Sequence, residues 1–473
     1  MDPDNTQHPR WNALIDWLAA HGMDVSPEKF PVQARSSPDA GYGLFALRPI
    51  EPSIPLFSIP PKALLNSLTL APHYPPAQPK LTCTQFVSLH LLLHRPKKGH
   101  TSSDPLFGPY ISVLPEDFDS HPLTWLWKKE RRKNDLLETR LVEVLPSRVL
   151  AKLDKMGNLF EIDWNTTKFY LRRNPTLTGS QFLDDLEDSY LWAWLNVNTR
   201  CVYHRLMKSR SDPDNMTLCP ILDFANHAEN PPYCIPLPTK SEIWNTGPLG
   251  KGKFGEKFVL LSPSPSTTSA GSEIYLRYGP HSNATLFSEY GFVLPHDTTG
   301  FGEDGYIGEF ELLEPVEALF KERGVVGVWM KEILVAEGYW GDWTLYSTPA
   351  PAHPSYRLIT ALRLYHLIPL STNAIPLNSE QLLDQWRNTT LGKQDKISEE
   401  NETFWRGTLL ALCWNVIQNG KAGIERVQKV DGGHPSSTTF LLASAKASIE
   451  SLWREEVTIA SAMIRSLENN EEF

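Results

Sequence analysis

Residues 219–230, CPILDFANHAEN, place an aspartate, an asparagine and a histidine within five positions. Asp223 and His227 together are groups that can exchange protons during catalysis, as in a hydrolase. No G-x-S-x-G nucleophile motif accompanies them, which argues against a serine hydrolase. An Asn226-His227 pair is also common in ordinary turns, where its side chains bond to nearby backbone. The segment alone therefore leaves its chemistry open.

A second motif, AGYGLFA, begins at Ala40. Gly41 and Gly43 lack side chains, so the backbone there can approach a ligand closely. A lone G-x-G is equally typical of a plain turn. It becomes informative only in combination with other motifs.

A third segment, residues 273–295, reads EIYLRYGPHSNATLFSEYGFVLP. It contains Tyr278 and Tyr290, twelve positions apart, followed by Phe292. A tyrosine in a strand is usually half-buried packing. Their hydroxyls could instead align a reacting group.

Short β-like runs broken by Gly and Pro occupy residues 30–60 and return at 218–295. Between them, residues 82–210 have helical spacing, and helices dominate again after about 310. The economical interpretation is one split β domain with a helical insert at about 65–215, followed by a helical domain. We therefore predict an α+β fold with domains at 1–300 and 301–473, the second one all-α.

Individual helices carry start and stop signals. A helix with Trp11 and Leu14 on its apolar face is expected to end before Gly22. A later helix is expected to begin after Ser398 as N-cap and to end at Gly420. The last helix has one apolar face, which is formed by Ile449, Leu452, Trp453, Ala460, Ile464 and Leu467.

Bulk properties exclude several classes of protein. The net charge of −10 argues against a general binder of nucleic acid or membrane surfaces. No apolar run is long enough to span a membrane, and the Met1 start has no secretory signal. The five cysteines form no CxxC pair, so we expect no zinc cluster and a reducing compartment. The expected location is intracellular, in the nucleus, the cytoplasm or both.

Taken together and in this order, G-x-G, Asn-His, Y-G and Y-G-F resemble the SET domain of protein methyltransferases. The helical insert and C-terminal helices resemble the branch that contains the Rubisco large-subunit lysine methyltransferase, and VNTRCVY, ILDFANH and YGPHSNATLFSEYGFV resemble one SET-domain subfamily within it. The resemblance implies a SET β-fold with a pseudo-knot. Ala228 departs from the serine that often follows Asn-His in the family, and Gly271-Ser272-Glu273 replaces its usual Gly-Glu-Glu turn.

The resemblance implies S-adenosylmethionine as methyl donor. Its carboxylate, ammonium and adenosine ends need a cation, backbone carbonyls and an amide. By family position these groups come from seven residues: Ala40, Gly41, Tyr42, Arg200, Asn226, His227 and Phe292. A guanidinium suits the carboxylate, which assigns it to Arg200; a surface ion pair is the alternative for Arg200, and plain core packing for Phe292.

The acceptor side would be a lysine amine, which must lose a proton before it attacks. The resemblance implies that Tyr278 positions the amine and that Tyr290 walls an apolar channel, both as catalytic and substrate-binding groups. Asp223, His204 and Arg200 are also expected to contact the substrate. For Asp223 a turn cap is the alternative, and for His204 a solvated helix residue.

The sequence thus predicts an S-adenosylmethionine-dependent protein-lysine N-methyltransferase acting on a histone or non-histone protein. We expect a monomer that contacts neither nucleic acid nor membrane and has no metal site. Methylation of histidine is the nearby alternative, and a silent SET-fold protein that only binds a partner is another. Intact Gly41, Asn226, His227 and Tyr278 argue against the silent form.

Overall fold

The computed structural model describes residues 6–37, 41–76, 78–132, 137–179, 182–207, 209–238, 255–294, 308–431 and 438–473. The chain divides into two compact units. The first comprises Met1–Trp127 and Leu153–His281, and the second comprises Lys128–Lys152 and Ser282–Phe473. The domain boundary predicted near residue 300 stays a prediction.

The first unit contains short strands from both ends of its sequence, as the split β pattern predicts. They are β1 (Val32–Ser37), β2 (Gly41–Ala46), β3 (Pro55–Ile59), β4 (Val202–Tyr203), β5 (Met216–Thr217), β6 (Ile235–Pro236), β7 (Phe258–Leu261) and β8 (Glu273–Ile274). Antiparallel pairing gives two three-stranded sheets, ordered β1-β2-β8 and β3-β7-β6, and the pair β4-β5. Each three-stranded sheet therefore joins strands from before and after the helical insert.

The hairpin of β1 and β2 positions the G-x-G motif. Its register pairs Val32 with Ala46 and Ser37 with Gly41. Ala34 and Leu44, which pair with each other, are fully buried, because alternate side chains of a strand share one face. Gly41 and Gly43 precede Leu44 and Phe45, the two residues of β2 that pair with β8.

Helices fill the rest of this region of the chain. They are α1 (Trp11–Ala20), α2 (Ser67–Leu70), α3 (Cys83–Leu93), α4 (Gly108–Ile111), α5 (Pro122–Arg132), α6 (Leu137–Glu143), α7 (Ser147–Arg173) and α8 (Glu187–Arg200). The division between the units falls within α5 and α7. Helix α1 ends as predicted, with Gly22 at φ +93°. Helix α8 is buried on all sides from Tyr190 to Val197, so it is a core helix rather than a surface one.

The second unit is mainly helical, but the prediction that the C-terminal region is all-α is wrong, because it also contains a small antiparallel sheet. Its later helices are α9 (Asn283–Tyr290), α10 (Leu313–Glu322), α11 (Gly324–Ala336), α12 (Tyr356–Tyr365), α13 (Ser379–Thr390), α14 (Glu399–Gln428) and α15 (Thr438–Glu468). The sheet is ordered β11-β10-β9, with β9 at Glu309–Glu311, β10 at Thr344–Tyr346 and β11 at His353–Pro354. Strands of two or three residues carry too little periodicity to be seen in the sequence.

Helix α14 begins as predicted and ends later than predicted. Ser398 Oγ accepts the Asn401 N–H at 3.1 Å, which confirms the N-cap. The helix passes through Gly420, and the predicted stop there is wrong. A Cβ at Gly420 would lie 2.5 Å from Val457 Cγ2, so this glycine lets α14 and α15 pack closely. The apolar face predicted for α15 is confirmed, since Ile449 and its partners on that face are buried.

Within the part of the chain that the structure describes, none of the helices combines the length and apolar character needed to cross a membrane.

Candidate active site

The Asn226-His227 segment lies alongside residues 275–278, so two motifs that are fifty residues apart in sequence are neighbours in space. The Leu276 N–H donates to the Asn226 carbonyl at 2.8 Å, and the Ala228 N–H donates to the Leu276 carbonyl at 2.8 Å. His227 and Leu276 form a parallel bridge. These backbone bonds fix the two segments and the side chains that they carry.

The Asn226 side chain connects this segment to the G-x-G strand. Its Nδ2 donates to the Tyr42 carbonyl at 3.2 Å and to Glu273 Oε1 at 2.6 Å. An asparagine amide has two N–H donors, and both are used here. Asn226 therefore holds β2 and β8 at one point, beside the backbone predicted to contact the cofactor.

Glu273 is a central residue that the sequence reasoning missed. Besides Asn226, its carboxylate accepts hydrogen bonds from the Ser37 hydroxyl at 3.1 Å and the Tyr275 hydroxyl at 3.0 Å. A Cβ on Gly43 would lie 2.2 Å from Glu273 Oε1. Gly43 thus makes room for this carboxylate, whereas the sequence suggested only close approach to a ligand.

Gly41 is different, because its φ of +76° favours glycine directly. Among the described residues, no atom lies within 4 Å of the position that a Cβ would take there, and Gly41 is exposed. The neighbouring Tyr42 is 36% exposed and packs edge-on against the His8 ring at 4.4 Å. Phe224 lies beyond, 6.5 Å from Tyr42 between ring centres. Ala40, also predicted as a cofactor contact, lies outside the described residues.

His227 is held as a neutral, fully buried side chain. Its Nδ1 accepts the backbone N–H of Tyr278 at 3.1 Å, so its proton resides on Nε2. Nε2 lies 3.6 Å from Glu229 Oε2. Burial lowers the pKa of His227 below its usual value, although the Glu229 charge opposes this. The imidazole therefore anchors the backbone at Tyr278.

Tyr278 directs its hydroxyl back to the other motif. The hydroxyl donates to the Ala225 carbonyl at 3.1 Å, and the ring lies 5.1 Å from the His227 ring. Because the hydroxyl proton is given to this carbonyl, the phenolic oxygen can still accept a hydrogen bond from another group, such as an N–H. The structure thus brings Tyr278, Asn226 and His227 together within one small region.

Asp223 lies below the surface at the start of this region and is not a turn cap. Tyr110 of α4 donates its hydroxyl to Asp223 Oδ2 in a short hydrogen bond. Asp223 Oδ1 is inaccessible and has no hydrogen-bond partner among the described residues. Burial raises the pKa of Asp223 to about 7, against the lowering effects of Arg200 and of the Tyr110 hydrogen bond.

The backbone just before Asp223 is strained. Ile221 has φ +71° and ψ −45°, close to a tight three-residue turn that β-branched residues rarely adopt. Ile221 is fully buried, so the surrounding core holds this conformation. Such strain costs of order 1–3 kcal/mol and is found most often where a fold positions functional groups.

Arg200 ends α8, and its guanidinium is half-buried. Its Nη1 donates to Thr199 Oγ1 at 2.7 Å, and its guanidinium carbon lies 5.6 Å from the centre of the Phe118 ring. It is also near enough to Asp223 to lower the pKa of that carboxyl. The cation predicted from the sequence is therefore close to the Asp223 end of the region.

His204 is buried and follows β4, so its alternative as a solvated helix residue is wrong. Its Nε2 is 3.1 Å from the Glu256 carbonyl, and its ring is 6.5 Å from the Phe258 ring. These contacts place it beside the chain leading into β7. Its predicted contact with substrate stays a prediction.

Tyr290 and Phe292 belong to the second unit. Tyr290 is the last residue of α9, which ends at Gly291 in the left-handed conformation, φ +85°. The Tyr290 and Phe292 rings are 6.2 Å apart. Burial, and next the Glu289 charge, raise the pKa of Tyr290, so its hydroxyl stays protonated at neutral pH. The roles predicted for these two residues stay predictions.

Several known proteins are similar to the chain along most of its length, although no model of a protein family matches it. Ribosomal lysine N-methyltransferase set11 of Schizosaccharomyces pombe is 24% identical over 446 residues, which cover 94% of each chain. SET domain-containing protein 4 of Homo sapiens is 25% identical, covering 96% of this chain and 90% of the human protein. Ribosomal lysine N-methyltransferase 2 of Saccharomyces cerevisiae is 27% identical over 60% of this chain and 58% of its own.

Solved structures share the fold. The crystal structure of the SET domain of LSMT bound to lysine and AdoHcy covers 98% of this chain and 92% of its own, with a TM-score of 0.56 at 18% identity. Rubisco LSMT bound to AdoMet covers 98% and 95%, with a TM-score of 0.55. The predicted α+β SET fold is therefore confirmed. In fold, and in sequence over nearly its whole length, this chain is similar to the SET-domain lysine methyltransferases, as its motifs predicted.

Proposed function

We propose that the chain is an S-adenosylmethionine-dependent protein-lysine N-methyltransferase. Two hydrogen bonds carry the proposal. The Asn226 amide donates to the Tyr42 carbonyl, and the Tyr278 hydroxyl donates to the Ala225 carbonyl. These contacts bring the G-x-G, Asn-His and Tyr-Gly motifs to one place. The relatives named as lysine methyltransferases give the same reaction class.

The residues present fit the methyl donor. Gly41 offers an exposed backbone, with no atom of the described residues within 4 Å of its Cβ position. Arg200 provides the guanidinium that suits the donor's carboxylate. Asn226 and His227 would hold the ammonium and adenine, partly through backbone groups. When bound, the donor supplies an electrophilic methyl group on a positively charged sulfur.

The acceptor lysine must reach this methyl as a neutral amine. Tyr278 would orient the amine through its hydroxyl, while the Ala225 carbonyl fixes that hydroxyl at 3.1 Å. Positioning of this kind supplies much of the rate in a transfer between two bound groups. Asp223 Oδ2 accepts the Tyr110 hydroxyl and its Oδ1 is inaccessible, so the contact between Asp223 and the substrate stays a prediction.

The cofactor assignment is tested by calorimetry with S-adenosylhomocysteine. We expect one site per chain, and we expect Asn226→Ala to weaken it by roughly 2 kcal/mol, since the proposed contact with the charged ammonium is lost and the Tyr42 backbone loses the bond that holds it in place. Asn198→Ala, which changes an exposed asparagine on α8, serves as the matched control. Unchanged binding in an Asn226→Ala protein with native circular dichroism would exclude the assignment.

The acceptor is tested by labelling. Two of the relatives are named as ribosomal lysine methyltransferases, so we propose that the acceptor protein is a ribosomal protein and that purified ribosomes are the first substrate to incubate with the chain and labelled cofactor. A whole-proteome extract widens the search, and mass spectrometry identifies the modified residue. Label on histidine would replace the lysine assignment, and cofactor binding without any transfer would indicate a silent SET-fold protein.

A further inference from the structure

Two histidines and an aspartate cluster in the helical part of the first unit, among residues that play no part in the proposed methyl transfer. His90 lies in the last turn of α3 and His94 is the residue that ends this helix, four positions later, so the two rings are neighbours, with centres 4.6 Å apart. The chain then leaves the helix and returns with Asp104 between them. Histidine and carboxylate ligands at this spacing are the set that zinc uses in many proteins.

The distances suit a small divalent cation. His90 Nε2 is 3.0 Å from Asp104 Oδ2, and His94 Nε2 is 3.7 Å from Asp104 Oδ1. One ligand atom from each residue can be chosen so that all lie within 4.8 Å of one another. Tetrahedral zinc with bonds of about 2 Å separates its ligand atoms by about 3.3 Å. The two measured separations, which run to the two different oxygens of the Asp104 carboxylate, lie on either side of this value.

One oxygen of the Asp104 carboxylate is left without a hydrogen bond among the described residues and could bind a cation. Asp104 Oδ2 is bonded by His90 and by the Phe107 N–H at 2.7 Å. Oδ1 of the same carboxylate has no hydrogen-bond partner among the described residues, although the side chain is only 1% exposed. Leaving a buried carboxylate oxygen unpaired is costly, and a cation between Oδ1 and His94 would remove that cost.

A further contact orients the inner histidine. The Tyr74 hydroxyl lies 2.7 Å from His90 Nδ1, the nitrogen that faces away from Asp104. Metal-bound histidines usually bond their second nitrogen to a neighbouring polar group, which fixes the ring. In the metal-bound form Nδ1–H would donate to Tyr74, and Nε2 would face the ion. His94 is 28% exposed and gives the ion a path from solvent.

The geometry points to a zinc-class divalent metal site formed by His90, His94 and Asp104, with water as fourth ligand. Mixed nitrogen and oxygen ligands favour zinc over magnesium or calcium, which prefer oxygen alone. Cysteine spacing, on which the expectation of no metal site was based, gives no sign of this site, because its ligands are the His-x-x-x-His pair and a carboxylate. The ion would join α3 to the segment leading into α4, whose Tyr110 hydrogen-bonds to Asp223.

The test uses the full chain after removal of metals with a chelator. Zinc is titrated against a chromophoric chelator of micromolar affinity, and cobalt(II) is added separately to record its visible spectrum. We expect one zinc per chain, the strong visible bands of tetrahedral cobalt, and a higher melting temperature with zinc. His94→Ala and Asp104→Asn should each weaken zinc binding by roughly tenfold or more.

Two controls keep the outcome clear. His100→Ala removes an exposed histidine from the same connecting segment and should leave the zinc affinity unchanged. His94 is only half-buried, so His94→Ala is expected to keep the native circular dichroism even if Asp104→Asn does not. A folded wild-type chain that takes no zinc from the chelator would overturn the site, and so would equal binding by wild type and folded His94→Ala.

Discussion

Replacing Gly43 with alanine separates two explanations of the G-x-G motif. The added Cβ would lie 2.2 Å from Glu273 Oε1 and 2.8 Å from its carboxylate carbon, whereas ordinary contacts begin near 3.4 Å. The carboxylate must therefore retreat by about 1.2 Å. A shift of that size is enough to take the 2.6 Å bond from Asn226 beyond hydrogen-bonding range.

The expected cost follows from the lost bond. A hydrogen bond to a charged group contributes about 1.5–3 kcal/mol, and the half-exposed position of Glu273 favours the lower end. We therefore expect Gly43→Ala to lower the unfolding free energy by about 1.5 kcal/mol. Release of Asn226 should also weaken binding of S-adenosylhomocysteine.

A double mutant supplies the decisive comparison. In a Glu273→Ala background the carboxylate is gone, so the nearest of the remaining neighbours is Phe45 Cε2 at 3.1 Å, which needs to move by a few tenths of an ångström. There the substitution should be neutral or stabilise by up to about 0.5–1 kcal/mol through the unfolded chain. Urea unfolding of the full chain and calorimetry would measure both effects. If Gly43→Ala costs as much with Glu273 as without it, the steric explanation is refuted and Gly43 serves the ligand directly.

Three other outcomes are expected. Tyr278→Phe should lower the methyl-transfer rate on the order of 100-fold while cofactor affinity changes by less than about threefold, because the hydroxyl positions the acceptor. If the rate and the cofactor affinity fall by the same factor, Tyr278 is a packing residue. Since the pKa of Asp223 is raised to about 7, its protonated form adds stability that is complete below about pH 4 and is lost as the pH rises through about 7. Asp223→Asn should flatten that decline in urea unfolding, and an unaltered profile would contradict the raised pKa. Gly420→Ala should lower the unfolding free energy by about 1–3 kcal/mol through overpacking. Gly407→Ala on the same helix should instead raise it by about 0.5–1 kcal/mol, because no atom of the described residues lies within 4 Å of its Cβ position. Equal effects of the two substitutions would exclude the close contact between α14 and α15.

The sequence predicted those helix ends that are fixed by residues within one turn of the end. Ser398 caps α14 because its hydroxyl reaches the Asn401 N–H, three residues on. The end of that helix was misplaced because Gly420 faces α15, and no local pattern reports what packs against a glycine. The strands of the second unit were missed for another reason, since segments of two or three residues are too short to show a β periodicity.

The candidate site divides in the same way. Asn226, His227 and Tyr278 were found from motifs, and the structure brings them together. Glu273 was missed, because a glutamate beginning a strand gives no sign that three polar groups converge on it. Tyr110 was missed because its partner Asp223 is 113 residues away. The one available signal was Gly43, whose missing side chain implies a neighbour that needs the space.

The second unit is built from two segments that are far apart in the sequence, and this affects how it folds during synthesis. Arg148 lies early in the chain, yet its buried guanidinium bonds Glu455 and Glu456, which are 307 and 308 residues further on. During synthesis on the ribosome, residues 128–152 therefore emerge long before most of the unit that they complete. A buried cation without its carboxylates is strongly unfavourable, so this segment must stay solvated, or held by a chaperone, until Glu455 and Glu456 have emerged. Emergence of these two glutamates, rather than emergence of the first unit, would then set the earliest time at which the second unit closes.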